Sequence, residues 1–268
     1  MLDANQIDQF QRDGFLVIPS LFSLEEVAML RTEVSHIMAL QRAEILRAES
    51  GEVRAALAVH RYSEPFRRLM HTPRLVRPTE QILGGEVYCS QYKIVSKQPM
   101  GALDFPWHQD FANWHDLDGM PECRALNISV FLDDVTEWNG PVTFIPGSHK
   151  RGRVDSAAKL LPGLAKETSL AEMDLKVIVE MVAAGGLATP KGVAGTAVLF
   201  HGLTAHASTP NISPWTRHII YLTGNRTDNT IQRPTRADYI AHRDFTPLVA
   251  GSDDMLTGIP QFTQGAAH

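Results

Sequence analysis

The feature that most constrains the fold is a change of hydrophobic period after Gly84-Gly85. Beyond this point, short stretches alternate apolar and polar residues and are bounded by Gly, Pro or Asn, a pattern typical of β-strands. Such strands are predicted at 87–95, 125–132, 141–145, 195–200 and 217–223. Several short strands with turn residues between them predict an antiparallel sandwich or barrel.

The residues before this change are predicted to form mainly helices. A short helix followed by a strand is expected within 3–19. Ser23 and Glu26 match a capping box, in which each side chain binds the other residue's backbone N–H at the start of a helix. A second helical region thus begins close to Ser23.

Two further N-terminal stretches have weaker patterns. Residues 65–83 are predicted to be helical, with breaks near Pro73 and Pro78 because proline disrupts helix interiors. The charged stretch 41–60 has little periodicity, and we interpret it as solvated surface, with a mobile flap as the alternative.

A long insertion, residues 150–190, lies between the predicted strands. It is expected to be helical around 169–183, and loops of this length in compact domains are often lids. No repeat or linker divides the chain, so one domain over 1–268 is predicted, with helical support over 1–84 and a β core over 85–230.

Composition excludes several functional classes. The net charge is −5, and Lys and Arg form no runs, which argues against nucleic-acid or anionic-membrane binding. No apolar stretch approaches the ~20 residues of a membrane span, and no signal peptide is evident. The two cysteines, Cys89 and Cys123, are expected to be reduced core thiols. A cytoplasmic globular protein is predicted, and a homodimer is compatible with the sequence.

His108 and Asp110 are the best candidates for metal ligands. In an extended segment, residues two apart point the same way, so an imidazole and a carboxylate can converge on one ion. Aromatic residues surround them and can exclude water: Phe105, Trp107, Phe111 and Trp114. His206 is the best third candidate, and two histidines with one carboxylate form the facial triad of non-haem Fe(II) oxygenases.

Other histidines compete with this assignment. His115 and His201 are rival ligands, although His201 is expected to face the opposite side of its turn. The chain also contains a second His-x-Asp pair, His242 and Asp244. No strand pattern or aromatic wall surrounds that pair, so it is interpreted as a surface segment.

Arg217 is the candidate for binding a dicarboxylate. It stands at the start of the last predicted strand, which could lie beside the strand that feeds His206. A guanidinium in a dry pocket binds a carboxylate bidentately, as the distal carboxylate of 2-oxoglutarate would require.

Four motifs carry a family resemblance. They are Phe10-x-x-Asp-Gly14-Phe; Trp-His-Gln-Asp-Phe-x-x-Trp-His-x-x-Asp-Gly-Met-Pro over 107–121; Asn-Gly-Pro-Val-x-Phe-Ile-Pro-Gly-Ser-His over 139–149; and Asn-Arg-Thr-Asp-Asn over 225–229. Together they resemble the phytanoyl-CoA dioxygenase superfamily of Fe(II)/2-oxoglutarate oxygenases over most of the chain. Within it, the chain looks most like bacterial ectoine hydroxylases and free-proline trans-4-hydroxylases, and its tail over 241–249 resembles the latter.

The resemblance implies a double-stranded β-helix (jelly roll, cupin-like) with flanking helices. It implies Fe(II) held by His108, Asp110 and His206, 2-oxoglutarate as cosubstrate held by Arg217, and O2 as oxidant. It also assigns roles to other pocket residues: Gln91 to the cosubstrate or substrate, Lys93 to a substrate carboxylate, Trp114 to the substrate wall, and Ser208 to the cosubstrate.

Two departures from the relatives leave the substrate open. Those relatives carry Asn at the position of Val95, and Asp-Ser at the positions of His201-Gly202. The function expected is hydroxylation of an unactivated C–H of a small carboxylate-bearing molecule, such as proline, pipecolate or ectoine. The alternatives are a tailoring hydroxylase of a larger natural product or acyl thioester, and a non-catalytic 2-oxoglutarate- or metal-binding module.

Overall fold

Two antiparallel sheets form the centre of the molecule. The computed structural model describes residues 1–154, 156–159 and 170–257. The helices there are α1 (Ala4–Asp13), α2 (Leu24–Ala39), α3 (Glu64–Met70), α4 (Pro73–Leu83), α5 (Asp110–Asp118) and α6 (Leu175–Gly185). The strands are β1 (Phe15–Ile18), β2 (Ile45–Arg47), β3 (Val53–Leu57), β4 (Val87–Lys97), β5 (Phe105–His108), β6 (Ala125–Phe131), β7 (Val142–Phe144), β8 (Ser156–Lys159), β9 (Leu170–Met173), β10 (Ala197–His201), β11 (His206–Ser208) and β12 (Arg217–Arg226).

The strand order is that of a double-stranded β-helix, as the sequence predicted. The larger sheet runs β1-β10-β6-β12-β4-β3-β2, and the smaller runs β7-β11-β5-β9-β8. All five predicted strands are present, with small changes at their ends.

Strand alternation divides the larger sheet into two faces. On β12, Ile220 and Leu222 join the core cluster that includes Leu30 of α2 and Leu75 of α4. Ile219 joins a second cluster with Phe144 of the smaller sheet. Because residues two apart share a face, the odd-numbered positions of β12 point between the sheets, towards the interior.

The N-terminal helices follow the predicted pattern, with one exception. The capping box is present, since Ser23 Oγ accepts from Glu26 N and Glu26 Oε2 accepts from Ser23 N. A break separates α3 from Pro73, but α4 continues through Pro78. The predicted break at Pro78 is therefore wrong, because a proline within a helix can cost a single backbone bond without ending it when packing holds both sides.

The surface interpretation of 41–60 is also wrong. Strands β2 and β3 extend the larger sheet beyond β4, and Ala56 pairs with Ile94. Ala55, Ala56 and Leu57 are buried. The sequence analysis missed this strand because charged residues surround it. Its position in the sheet depends on pairing with β4, which an amphipathic period in the sequence does not reveal.

The predicted insertion contains both strand and helix. Residues 170–173 form β9, and the helix over 175–185 begins later than the predicted 169. His108 of β5 pairs with Glu172 of β9, so this segment adjoins the centre of the smaller sheet. Residues 155 and 160–169 of the predicted lid lie outside the described residues. No helix in the described ranges has the length and apolar character needed to cross a membrane.

Replacing Ser23 with Ala tests the capping box. We expect the free energy of unfolding to fall by about 1 kcal/mol, because the N–H of Glu26 loses its acceptor. Urea unfolding measures the change. Ser35→Ala, at an exposed position in the same helix, is the control and should alter stability by less than about 0.5 kcal/mol; an equal loss in both variants would contradict the capping role.

Candidate metal centre and adjoining cavities

Three predicted ligands meet at one end of the smaller sheet. His108 ends β5 and lies directly opposite His206 of β11, with their ring centroids 4.1 Å apart. Gln109 between His108 and Asp110 is extended, with φ −115° and ψ 126°. Asp110 therefore points to the same side as His108, although it is the first residue of α5.

The separations between these donor atoms suit a shared ion. His108 Nε2 lies 3.6 Å from Asp110 Oδ1, and His206 Nε2 lies 3.6 Å from Asp110 Oδ2. One donor atom from each of the three residues lies within 4.8 Å of the others. An ion about 2.0–2.2 Å from nitrogen and oxygen ligands fits between groups spaced in this way.

Both imidazoles are held in the tautomer that metal binding needs. His108 Nδ1 lies 2.7 Å from the Pro106 carbonyl, and His206 Nδ1 lies 2.9 Å from the Thr204 carbonyl. A carbonyl only accepts, so each Nδ1 must carry the proton, and each Nε2 presents a lone pair to the shared site.

The charges of the site are consistent with this arrangement. Burial and, to a smaller extent, His108 lower the pKa of His206 to about 4, against the opposing effect of Asp110. Burial alone would raise the pKa of Asp110, but His206 and His108 bring it well below its usual range. A neutral imidazole and an ionised carboxylate are the forms that ligate a metal.

Asn127 is a site residue that the sequence analysis missed. Its Nδ2 donates to Asp110 Oδ2 at 2.6 Å, and its Oδ1 accepts from Thr223 Oγ1 at 2.5 Å. This chain of hydrogen bonds fixes the carboxylate of Asp110 from the larger sheet. Asn127 is one of two polar residues, with Ser129, in the strand 125–131, and this polar position was the available signal.

Arg217 reaches the same cavity from the facing sheet. It was predicted on a strand beside the one that feeds His206, and this is wrong: β6 separates β12 from β10, and β11 belongs to the smaller sheet. Arg217, Ser208 and His206 nevertheless line one cavity, which we call the inner cavity. Facing sheets, and not neighbouring strands, bring them together.

The guanidinium of Arg217 is buried and partly unpaired. Its Nε donates to the Asn139 carbonyl at 3.2 Å, and its Nη2 donates to the Gly140 carbonyl at 2.6 Å. Its Nη1 has no hydrogen-bond partner within the described residues. Burial lowers the pKa of Arg217, and the nearby Tyr221 hydroxyl opposes that effect.

The predicted substrate residues line a second cavity that adjoins the first. Gln91, Lys93 and Trp114 line this outer cavity, and Lys93 also lines the inner one. Asp110 borders both cavities, so the metal candidate lies at their junction. Burial lowers the pKa of Lys93, while Asp110 opposes this effect.

The C-terminal segment adds residues that the sequence analysis did not select. Arg236 and Tyr239 line the outer cavity. Arg236 forms a buried bidentate pair with Asp118, through Nε at 2.9 Å and through Nη2. No local motif marks Arg236, because its partner lies 118 residues away.

The two departures from the relatives occupy different places. Val95 lines both cavities and offers them no polar atom. His201 faces away from the cavities, with its Nδ1 accepting from Leu203 N at 3.1 Å. A Cβ at Gly202 would lie 2.6 Å from the Trp114 ring, so glycine allows this ring its position.

The rival histidines do not join the triad. His115 Nδ1 donates to the Met120 carbonyl at 2.8 Å. His242 is buried beside His60 and Cys89, so its interpretation as a surface segment is wrong, although Asp244 is exposed. His242 Nδ1 lies 3.2 Å from the Cys89 carbonyl, and long-range packing of the C-terminal tail against β4 explains the burial. Neither Cys89 nor Cys123 forms a disulfide.

The described residues fit a metal ion and a dicarboxylate. Two Nε2 lone pairs and an ionised carboxylate form a three-ligand face that leaves coordination positions open. The buried Nη1 of Arg217 lacks a partner, and a carboxylate in the inner cavity would satisfy it.

Comparisons with known proteins agree with this geometry. Residues 10–219 match the family model of phytanoyl-CoA dioxygenase (PhyH). The L-proline trans-4-hydroxylase of Streptomyces griseoviridis is 40% identical over 266 residues, covering 96% of this chain and 98% of the relative. The ectoine dioxygenase of Bordetella bronchiseptica is 38% identical over 272 residues, covering 95% and 87%.

Solved structures give the same result. The crystal structure of EctD from S. alaskensis with 2-oxoglutarate and 5-hydroxyectoine has a TM-score of 0.82 and 30% identity, covering 94% of this chain and 88% of that one. The same protein with bound Fe has a TM-score of 0.83 and 31% identity, with the same coverage.

The two His-x-Asp pairs allow a matched test of the metal centre. Asp110→Ala should abolish stoichiometric Fe(II) binding, because the two imidazoles lose the carboxylate that completes the set. Metal content after anaerobic reconstitution and desalting measures the effect. Asp244→Ala, in the other pair, should bind iron as the unmodified protein does; full iron retention by the Asp110 variant would contradict the ligand set.

Proposed function

The chain belongs to the phytanoyl-CoA dioxygenase (PhyH) family, and from this premise we propose which residues bind the metal, the cosubstrate and the substrate. It is an Fe(II)- and 2-oxoglutarate-dependent dioxygenase that hydroxylates a small cyclic amino acid. The observation that carries the proposal is the meeting of a His-Asp-His face and a partly unpaired arginine in adjoining cavities.

We propose that His108, Asp110 and His206 hold the iron. The donor spacing of 3.6 Å and the fixed tautomers support this assignment. Asn127 keeps the carboxylate of Asp110 oriented, because its amide donates to Oδ2. An intact carboxylate also argues against a halogenase, in which that position is vacated for chloride.

The inner cavity is proposed to take 2-oxoglutarate. Arg217 pairs with the distal carboxylate through Nη1, while the Asn139 and Gly140 carbonyls hold the rest of the guanidinium in place. Ser208 lines the same cavity and offers a hydroxyl. The keto-acid end then lies towards the metal ligands, which line the same cavity.

The outer cavity is proposed to take the amino acid. Lys93 supplies the positive charge for its carboxylate, Gln91 offers a polar contact, and the Trp114 ring packs on its apolar carbons. When bound, iron, 2-oxoglutarate and O2 supply the oxidation, which yields succinate, CO2 and a hydroxylated product. The contribution of the chain is to orient the target C–H at the junction of the cavities and to exclude water.

The domain organisation, location and assembly stay predictions. We propose one dioxygenase domain over 1–268, a cytoplasmic location and a homodimer. Limited proteolysis, cell fractionation and light scattering would test these three statements in turn.

A substrate panel tests the proposed function. The Fe(II) protein is incubated with 2-oxoglutarate, O2 and separate amino acids, including proline, pipecolate and ectoine. Mass spectrometry is expected to find a gain of one oxygen in a cyclic member, with equimolar succinate. Coupled turnover only with a larger natural product or an acyl thioester would replace the amino-acid proposal, and no succinate under any condition would contradict the enzyme class.

Lys93→Ala tests the division between the cavities. Loss of the ammonium should raise the KM for the amino acid by about 10- to 100-fold, the range set by one charge-assisted hydrogen bond. The KM for 2-oxoglutarate should change less than threefold. Steady-state kinetics with each compound varied in turn measure the two KM values. An equal rise in both would contradict the role of Lys93.

A further inference from the structure

Lys97 is a buried cation in an unusual position. It ends β4 and pairs directly with Arg217 of β12, and both residues are only 1% exposed. Like charges opposite each other on neighbouring strands repel, and burial makes each charge more costly. An arrangement of this kind calls for a compensating anion.

No carboxylate of the described chain forms an ion pair with either charge, although Asp104 and Asp133 act on them from a greater distance. Neither the Lys97 ammonium nor the Arg217 guanidinium lies within ion-pair distance of an Asp or Glu in the described ranges. Burial and, to a smaller extent, Arg217 lower the pKa of Lys97 to about 6, and the exposed Asp104 opposes this effect only in part. The part of the inner cavity that Arg217 lines therefore lacks an ion-paired carboxylate from the described chain.

The Lys97 ammonium is fixed behind the wall of this cavity. Its Nζ donates to Ser208 Oγ at 2.8 Å and to the Thr209 carbonyl, and it lies 5.5 Å from the Phe105 ring centroid. A Cβ at Gly140 would lie 2.8 Å from Lys97 Cδ, so glycine makes room for the lysine stem. Lys97 thus contacts the lining residues Ser208 and Phe105 without lining the cavity itself.

The direction of one hydrogen bond has a consequence for Ser208. A hydroxyl has one proton to donate and two lone pairs that accept. An anion bound beside Arg217 favours the charged form of Lys97, and an ammonium only donates, so Ser208 Oγ then accepts from Lys97 and turns its own proton elsewhere. Ser208 lines the inner cavity together with Arg217, so a carboxylate beside Arg217 can accept that proton.

We propose that Lys97 is a positioning residue for 2-oxoglutarate, which sets the Ser208 hydroxyl as a donor to the distal carboxylate beside Arg217. This role rests on the proposed binding of 2-oxoglutarate in the inner cavity. Lys97 acts through Ser208, and Lys93, four residues earlier on the same strand, serves the amino acid instead.

Binding of two keto acids to the full-length protein tests the role of Lys97. The protein is loaded with Mn(II), which prevents turnover, and is titrated by calorimetry with 2-oxoglutarate or with 2-oxopentanoate, which has a methyl group in place of the distal carboxylate. Lys97→Met should weaken 2-oxoglutarate binding by about 10- to 100-fold, the range for a lost charge-assisted hydrogen bond. Binding of 2-oxopentanoate should change less than threefold.

Two further variants show whether Lys97 acts through Ser208. Ser208→Ala alone should weaken 2-oxoglutarate binding, and adding Lys97→Met to it should cause little further loss. Lys191→Met, at an exposed lysine, is the control and should bind both keto acids as the unmodified protein does. Should Lys97→Met fail to fold, Lys97→Gln, which also lacks the charge, is measured with the same criteria.

The outcomes separate this proposal from the function on which it rests. No loss of 2-oxoglutarate affinity, an equal loss for both keto acids, or additive losses in the double variant would each overturn the role of Lys97. Failure of the unmodified Mn(II) protein to bind 2-oxoglutarate would overturn the proposed function itself. The titration needs no amino-acid substrate. It therefore tests the role of Lys97 even if no amino acid in the substrate panel is hydroxylated.

Discussion

The pairing of His108 with His206 across two strands of the smaller sheet is the constraint on which the candidate site depends. It sets the two rings 4.1 Å apart before any ion is considered. Each ring is then held by a carbonyl two residues earlier in its own chain segment. The backbone therefore fixes both the spacing and the tautomers, and Asp110 needs only to approach from the start of α5.

The larger sheet supplies most of the charged and polar side chains that face this pair. Gln91, Lys93, Val95 and Lys97 alternate along β4 on the face that looks between the sheets, and Arg217 and Tyr221 occupy the same face of β12. Two-residue periodicity thus places three cations, one amide and one phenol on a single face of the sheet. These cations are buried and have few carboxylates of the protein near them. Such an arrangement suits the binding of one carboxylate ligand in each of the two adjoining cavities.

The boundary between the cavities explains how one chain can treat two carboxylates differently. Arg217 and Ser208 line the inner cavity only, while Lys93 and Asp110 line both cavities. Trp114 enters the outer cavity because Gly202 leaves room for its ring. Arg236, paired with Asp118, brings the C-terminal segment to the same wall. Substrate choice is therefore expected to depend on the outer cavity, and cosubstrate choice on the inner one.

The sequence by itself determined the class of fold and the capping of α2, because strand period and capping are encoded within a few neighbouring residues. It also predicted the candidate ligands and Arg217, because the residue types suit iron and a carboxylate and stand in or near motifs that resemble those of the family. Only the tertiary structure decided that 41–60 joins the sheet, that His242 is buried, and that Arg217 reaches the cavity from the facing sheet. It alone related Asn127 to Asp110 and Lys97 to Ser208, pairs 17 and 111 residues apart. Such contacts depend on strand order and sheet packing, and no local pattern of residues specifies which distant strands will face each other.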